Sequence, residues 1–201
     1  MNKKILLYIH GGMTFKNKED YMNYLQEREI SLENFDYWAD DFLKNSIGEK
    51  YKLVKPRMPC KENAKYEEWK ITFEKFTAYL DENSILIGTS LGGIFLAKYL
   101  SENKLQTKLK AVFLVAPPFD DSLSTEDLAG GFELKQDLKL IEENAENIFF
   151  YFSTDDPVVP VEHLRKYCEL LPKASFKELD NKNGHFVISE FPELIADINS
   201  L

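Results

Sequence analysis

The chain has 201 residues, of which 44% are hydrophobic and 13% aromatic, so it can bury a full core and is not disordered or collagen-like. Its 25 basic and 34 acidic residues give a formal net charge of −9, which disfavours nucleic acid and anionic membranes and favours neutral or cationic partners. Two cysteines and three histidines form neither a disulfide framework nor a zinc cluster, so we expect a cytoplasmic protein.

Short aliphatic runs and helical periodicity alternate along the whole chain. The runs predict six strands, over residues 4–9, 51–54, 84–87, 111–115, 148–152 and 175–179. The periodic segments predict helices over residues 18–28, 66–80, 94–100, 134–141, 161–171 and 191–201. This alternation is typical of an α/β three-layer sandwich around a mostly parallel six-stranded sheet. Because no linker or repeat interrupts it, we predict a single domain over residues 1–201.

Two longer segments depart from this rhythm. Residues 13–34 and 117–132 both follow predicted strand ends, the edge where open α/β sheets hold their ligands. The first segment carries the aromatic residues Phe15, Tyr21 and Tyr24. Aromatic residues at these spacings either pack against the sheet or cover a substrate pocket, and we count Phe15 among the candidate pocket residues.

A GxSxG motif, Gly88-Thr89-Ser90-Leu91-Gly92, lies between the third predicted strand and the helix that follows it. A strand-to-helix turn of this kind strains the serine backbone and presents the hydroxyl above the sheet. Its flanking glycines let strand and helix approach closely. We therefore predict that Ser90 is a nucleophile and that the Leu91 N–H helps to hold an oxyanion.

A serine nucleophile needs a general base and a group that orients it. His185, in Asn183-Gly184-His185-Phe186, follows the last predicted strand and is the candidate base. The residues offer several candidates for the acid: Asp156, directly before Pro157, is favoured over Asp155, and Asp120 or Asp121 after the fourth strand is a third choice. The chain order Ser, Asp, His is that of α/β hydrolases.

The first predicted strand ends in His10-Gly11-Gly12-Met13. Glycines at this point let the backbone turn sharply, so that the N–H of Gly12 or Met13 completes an oxyanion hole with Leu91. His10 and Gly11 are further candidate pocket residues, and we expect His10 to brace the loop. His163 lies inside a predicted helix and is expected to be structural.

These motifs together resemble the α/β-hydrolase superfamily, and within it the small cap-less serine hydrolases related to retinoblastoma-binding protein 9. The resemblance is carried by Ile9-His10-Gly11-Gly12, the GxSxG, Ser153-Thr154-Asp155-Asp156-Pro157-Val158-Val159-Pro160 and Gly184-His185-Phe186. It implies that Asp156 is the triad acid, that the second strand lies outside the first, and that no large lid is present. The chain departs from this family in its longer segment after the first strand and in having His-Gly-Gly where relatives often have Pro-Gly.

The sequence therefore predicts a serine hydrolase that acts through an acyl-enzyme on a small neutral carboxylic ester, with a thioester or amide as variants. This chemistry requires no metal and no organic cofactor. The alternative is a protein-binding module on a hydrolase scaffold whose triad is weak or vestigial, a role that the resemblance also permits.

Overall fold

The computed structural model describes residues 3–33, 35–123, 125–135 and 137–201. Its strands are β1 (Lys4–Ile9), β2 (Tyr51–Val54), β3 (Ile85–Thr89), β4 (Leu109–Val115), β5 (Ala145–Ser153) and β6 (Ser175–Leu179). Its α-helices are α1 (Lys18–Glu27), α2 (Asp41–Ile47), α3 (Tyr66–Thr77), α4 (Leu91–Glu102), α5 (Leu140–Asn144), α6 (Glu162–Leu170) and α7 (Pro192–Asn199). None of the helices in these ranges is long and apolar enough to cross a lipid bilayer.

The six strands form one sheet in the order β2-β1-β3-β4-β5-β6, and every neighbouring pair is parallel. This confirms the predicted α/β architecture and the place of the second strand outside the first. The order reverses between β1 and β3, because the chain moves outward from β1 to β2 and then crosses back to β3. Ligands of open α/β sheets bind at such a reversal, beside the carboxyl ends of the strands.

Helices cover both faces of the sheet, which gives the three layers. With right-handed crossovers, the connection from β1 to β2 lies on one face of the sheet. The connections from β2 to β3 and from β3 to β4 then lie on the other face. Accordingly α2 packs against α7, whereas α4 packs against α3 and α5. Nine residues of α4 from Gly92 to Leu100 are buried, so the helix that begins directly after Ser90 is fixed in the core.

Two helices differ from the prediction. The structure contains α2, which the sequence pattern did not reveal, because seven residues with two buried side chains, Leu43 and Ile47, give too little periodicity to detect. The helix predicted over residues 134–141 is wrong in its extent, and its Gln136 lies outside the described residues. The Asp137 carboxylate accepts the Lys139 N–H at 3.0 Å, a local turn that competes with helix, so α5 begins only at Leu140.

The two long segments that follow β1 and β4 are joined to each other. The Thr14 hydroxyl donates to the Asp127 carbonyl at 2.6 Å and accepts the Ala129 N–H at 2.8 Å. The Lys16 ammonium lies 2.9 Å from an Asp121 oxygen and 2.8 Å from an Asp127 oxygen. The segments therefore form one connected layer beside the carboxyl edge of the sheet.

Candidate active site

Ser90 occupies a strained turn between β3 and α4. Its φ of 51° lies in the left-handed region that an L-residue adopts at a cost, and its N–H is held by the Val115 carbonyl at 2.8 Å. The turn also requires glycine at its flanks. A Cβ on Gly88 would lie 2.4 Å from the Gly92 carbonyl oxygen, and a Cβ on Gly92 would lie 2.4 Å from that of Ile9. The GxSxG spacing is thus a packing requirement, and it points Ser90 into the cavity at the strand ends.

Asp156 follows β5 and lies against His185. One carboxylate oxygen is 2.7 Å from His185 Nδ1, and the other accepts the N–H groups of Val158 and Val159 at 2.9 and 3.0 Å. The Asp156 side chain is fully buried, whereas that of His185 is 21% exposed. Three donors therefore surround a buried carboxylate, which fixes both its orientation and that of the imidazole.

Asp155 has no hydrogen bond to the His185 ring within the described residues and instead supports the loop that carries this histidine. Its carboxylate accepts the N–H groups of Gly184 and Lys182 at 3.0 and 3.1 Å, and also the Ser153 hydroxyl. The Gly184 bond, followed by that of Ser153, lowers the pKa of Asp155. Asp155 thus holds the backbone before His185 in place.

The other two candidate acids bind elsewhere. Asp120 accepts from the Lys166 ammonium at 2.7 and 2.9 Å and from Ser122. Burial opposes ionisation of Asp120, but these bonds outweigh it and lower its pKa to about 2. Asp121 accepts the Leu128 N–H at 2.6 Å and pairs with Lys16. Among the four aspartates that the sequence offered, Asp156 is the one bonded to His185.

His185 and Ser90 line the same cavity. Within the described residues His185 Nε2 is buried and has no hydrogen-bond partner, and no bond joins it to Ser90 Oγ. Because catalytic hydrogen bonds in ligand-free enzymes are commonly long and tighten when substrate binds, this gap is compatible with a base poised for the serine proton. The structure therefore contains the Asp156–His185 bond but no bond from His185 to Ser90.

The candidate oxyanion donors differ in whether they are already bonded. The Met13 N–H donates to the Lys61 carbonyl at 2.7 Å, so it is not available, and the expectation for Met13 is corrected. The N–H groups of Gly12 and Leu91 have no acceptor among the described residues. A Cβ on Gly12 would come within 2.6 Å of the Lys61 carbonyl oxygen, which explains the glycine there.

The candidate pocket residues divide between two places. His10 lines the cavity, where its Nε2 accepts the Met58 N–H at 3.0 Å and its Nδ1 lies 2.6 Å from the Gly11 carbonyl oxygen. These contacts assign the proton to Nδ1 and tie the loop to the segment after β2. Gly11 abuts the serine, since a Cβ on it would lie 3.3 Å from Ser90 Cβ. Phe15 does not line this cavity but packs on Tyr21 and Tyr24, with ring centroids 5.3 Å apart in both pairs.

The third histidine lies outside the site. His163 of α6 is buried, accepts the Phe119 N–H at 3.0 Å through Nδ1, and approaches the Ser122 carbonyl through Nε2. Both ring nitrogens are therefore used to fix the segment that follows β4.

The cavity has a volume of about 720 Å³ and is lined in part by charged residues that the sequence pattern did not predict. Lys55, Arg57 and Lys61 follow β2, and Glu126 follows β4. Burial raises the pKa of Glu126, the charge of His185 lowers it, and that of Asp156 raises it further. The signal that could have found these residues is their position, because each follows a strand of the parallel sheet and the carboxyl ends of these strands lie at the ligand-binding edge.

A parallel sheet with this strand order and a serine turn after its third strand defines an α/β-hydrolase-fold protein. The profile of the serine hydrolase family matches residues 35–191. The chain therefore belongs to the serine hydrolase family.

Individual relatives agree with this assignment. The chain is 28% identical to the serine hydrolase RBBP9 of Rattus norvegicus over 152 residues, which cover 75% of this chain and 78% of that protein. The crystal structure of the ydeN gene product of B. subtilis superimposes with a TM-score of 0.75 at 20% identity, covering 98% of each chain. The crystal structure of a protein described as a predicted CIB-like hydrolase, from Thermoplasma acidophilum, gives a TM-score of 0.62 at 16% identity, covering 100% of this chain and 88% of the other. The two structures share the fold.

Proposed function

We propose that the protein hydrolyses small carboxylic esters through an acyl-enzyme, with Ser90 as nucleophile, His185 as general base and Asp156 as the acid that orients it. The observation that carries this proposal is the bond between the buried Asp156 carboxylate and His185, a residue that lines the same cavity as Ser90. The His185 Nε2 is unpartnered within the described residues. The strained Ser90 backbone supports it, because such strain is typical of functional sites.

In the proposed reaction Ser90 Oγ attacks the ester carbonyl carbon while His185 Nε2 takes the hydroxyl proton. Asp156 accepts the Nδ1–H bond and stabilises the imidazolium that forms. The N–H groups of Gly12 and Leu91 hold the negative oxygen of the tetrahedral intermediate, and Leu91 adds the N-terminal dipole of α4. His185 then protonates the leaving alcohol.

Deacylation repeats these steps with water. His185 removes a proton from water, the resulting hydroxide attacks the acyl-enzyme, and the carboxylic acid leaves as Ser90 recovers its proton. Each proton moves between groups of this chain and the substrate, so the mechanism needs neither metal nor organic cofactor. An added alcohol or amine that replaced water would turn the same site into an acyltransferase, which product analysis distinguishes.

We further propose a small-molecule ester as partner, with no role for nucleic acid or membrane, and a location in the cytosol. Cys60 and Cys168 are both free, and Cys60 is exposed. A reducing compartment would keep both thiols intact, which supports this location.

The test is turnover of 4-nitrophenyl butyrate by the wild type, Ser90→Ala, His185→Ala and a matched control, Ser101→Ala. Ser101 also lies on α4, and its hydroxyl donates to the Lys98 carbonyl at 2.8 Å. Ser101 does not line the cavity. Loss of the nucleophile or base should lower kcat by about 10⁶-fold, whereas Ser101→Ala should keep it within about twofold. The missing Ser90–His185 bond would equally suit a binding protein with an unused triad. An inactive wild type, or an unimpaired Ser90→Ala variant, would favour that alternative and contradict the proposal.

A further inference from the structure

The wall of the cavity formed by residues 55–61 carries three cationic side chains: Lys55, Arg57 and Lys61. Lys55 is already paired, since its ammonium bonds the Asp40 carboxylate and the Ala39 carbonyl. Arg57 and Lys61 are exposed, and neither side chain has a hydrogen bond or ion pair within the parts of the chain that the structure describes. The wall therefore presents two unneutralised positive charges to the cavity.

The backbone beneath these charges is fixed. Besides the Met13–Lys61 bond, the Ala64 N–H donates to the Met13 carbonyl at 2.9 Å, and the Met58 N–H donates to His10. The indole N–H of the buried Trp69 holds the Pro59 carbonyl at 2.8 Å. Arg57 and Lys61 thus extend from a segment that is bonded to the loop after β1, so little backbone ordering is needed before they bind a ligand.

The positive field of this wall reaches the catalytic loop. Burial is the main cause that lowers the pKa of His10, and the charges of Lys61 and Lys55 lower it further. The charge of Lys61 therefore acts on the residue that precedes Gly11, and Gly11 abuts Ser90. The net charge of −9 predicts neutral or cationic partners for the surface as a whole, but the local charge of this wall has the opposite sign.

The sheet topology decides which part of a substrate meets this wall. His185 follows β6 and residues 55–61 follow β2, and these are the two opposite edges of the sheet, with Ser90 between them after β3. Because His185 must protonate the leaving alcohol, that group lies on the β6 side, where Glu126 is also found. The acyl group then extends toward β2.

We propose that Arg57 and Lys61 bind a carboxylate at the far end of the acyl group, so that the substrates are monoesters of dicarboxylic acids. This assignment rests on the proposed function. A guanidinium donates two parallel bonds to a carboxylate, and the Lys61 ammonium, which lines the same cavity, supplies a second positive charge. Asp40 does not oppose this binding because Lys55 neutralises it.

The test compares two 4-nitrophenyl esters of equal acyl length, the monoadipate and the hexanoate, after subtraction of spontaneous hydrolysis. The readout is the ratio of kcat/KM for monoadipate to that for hexanoate in the wild type, Arg57→Gln, Lys61→Gln and the double variant. We expect each single change to lower the ratio by about tenfold and the double change by more. Lys75→Gln, an exposed lysine on α3 outside the cavity, should leave the ratio unchanged.

A second readout is independent of turnover. Monomethyl adipate should raise the melting temperature of the Ser90→Ala protein, and adding Arg57→Gln and Lys61→Gln to that protein should abolish this shift. Methyl hexanoate, which lacks the terminal carboxylate, serves as the uncharged control. An unchanged ratio in the double variant, or a shift that persists in it, would overturn the carboxylate assignment. If 4-nitrophenyl hexanoate were still hydrolysed in a Ser90-dependent way, the proposed function would remain intact in that case. Failure of the carboxylate assignment can therefore be distinguished from failure of the proposed function.

Discussion

Replacement of Asp156 by Asn tests the carboxylate that orients His185, because hydrogen bonds to both of its oxygens fix its position. Three donors surround the Asp156 carboxylate: the N–H groups of Val158 and Val159 on one oxygen and His185 Nδ1 on the other. An asparagine has one acceptor oxygen. The orientation that keeps both backbone bonds places its NH₂ group against His185 Nδ1, which must then give up its proton and accept a bond.

That change moves the imidazole proton to Nε2, the nitrogen that must be free to take the Ser90 proton. We therefore expect Asp156→Asn to lower kcat by about 10⁴-fold, equivalent to about 5 kcal/mol in the activation free energy. The opposite orientation, with the NH₂ group facing two N–H donors in a buried site, would leave unsatisfied groups that cost about 1–3 kcal/mol each.

Asp155→Asn is the matched control, because Asp155 is the adjacent carboxylate and also supports the histidine loop. Its contacts are to backbone N–H groups and Ser153, not to the imidazole. We expect a loss of at most about tenfold in kcat. The assay is steady-state hydrolysis of 4-nitrophenyl butyrate, with circular dichroism to show that both variants fold. Equal losses in the two variants, or near-normal turnover by Asp156→Asn, would refute the assignment of Asp156.

Two stability predictions concern the segments beside the site. Thr14→Val removes both hydrogen bonds of a buried hydroxyl, the one donated to Asp127 and the one accepted from Ala129. The free energy of unfolding, measured by urea titration, should fall by about 1–3 kcal/mol. An unchanged midpoint of the urea transition would show that these bonds do not join the two segments. Asp120 has a pKa of about 2 in the folded protein, below its ordinary 3.8, so its ionised form stabilises the fold above about pH 4 and this contribution is lost as the pH falls through 2. Because its side chain is 45% exposed, Asp120→Asn should cost at most about 1 kcal/mol at pH 7, and the difference from wild type should vanish near pH 2; a difference that grew on acidification would contradict this sign.

Most of the strands were predictable because they contain short runs of aliphatic or aromatic residues. The limits of β1, β2 and β6 agree with the predicted ranges, whereas β5 extends three residues further at its start because Ala145, Glu146 and Asn147 lack an apolar pattern. Likewise α1 starts at the predicted residue, since Asn17 accepts the Asp20 N–H at 2.9 Å and caps it. Local chemistry was enough in these cases.

The charged wall of the cavity was not predictable from local pattern. Arg57 and Lys61 look like ordinary surface residues in the sequence, and they line the same cavity as Ser90 only because β2 lies next to β1. In the same way, the Met13 N–H became unavailable through a bond to Lys61, 48 positions further along the chain. Motifs predict which side chains carry chemistry, but contacts between distant segments determine which groups surround them.

The central claim is that His185 activates Ser90, and covalent labelling with a fluorophosphonate measures this most directly. Intact-mass and peptide-mass spectrometry of the wild-type protein should show one phosphonyl group, on Ser90, whereas His185→Ala should label at least 10³-fold more slowly. A wild-type protein that stays unlabelled, or one that is labelled equally fast without His185, would contradict the account.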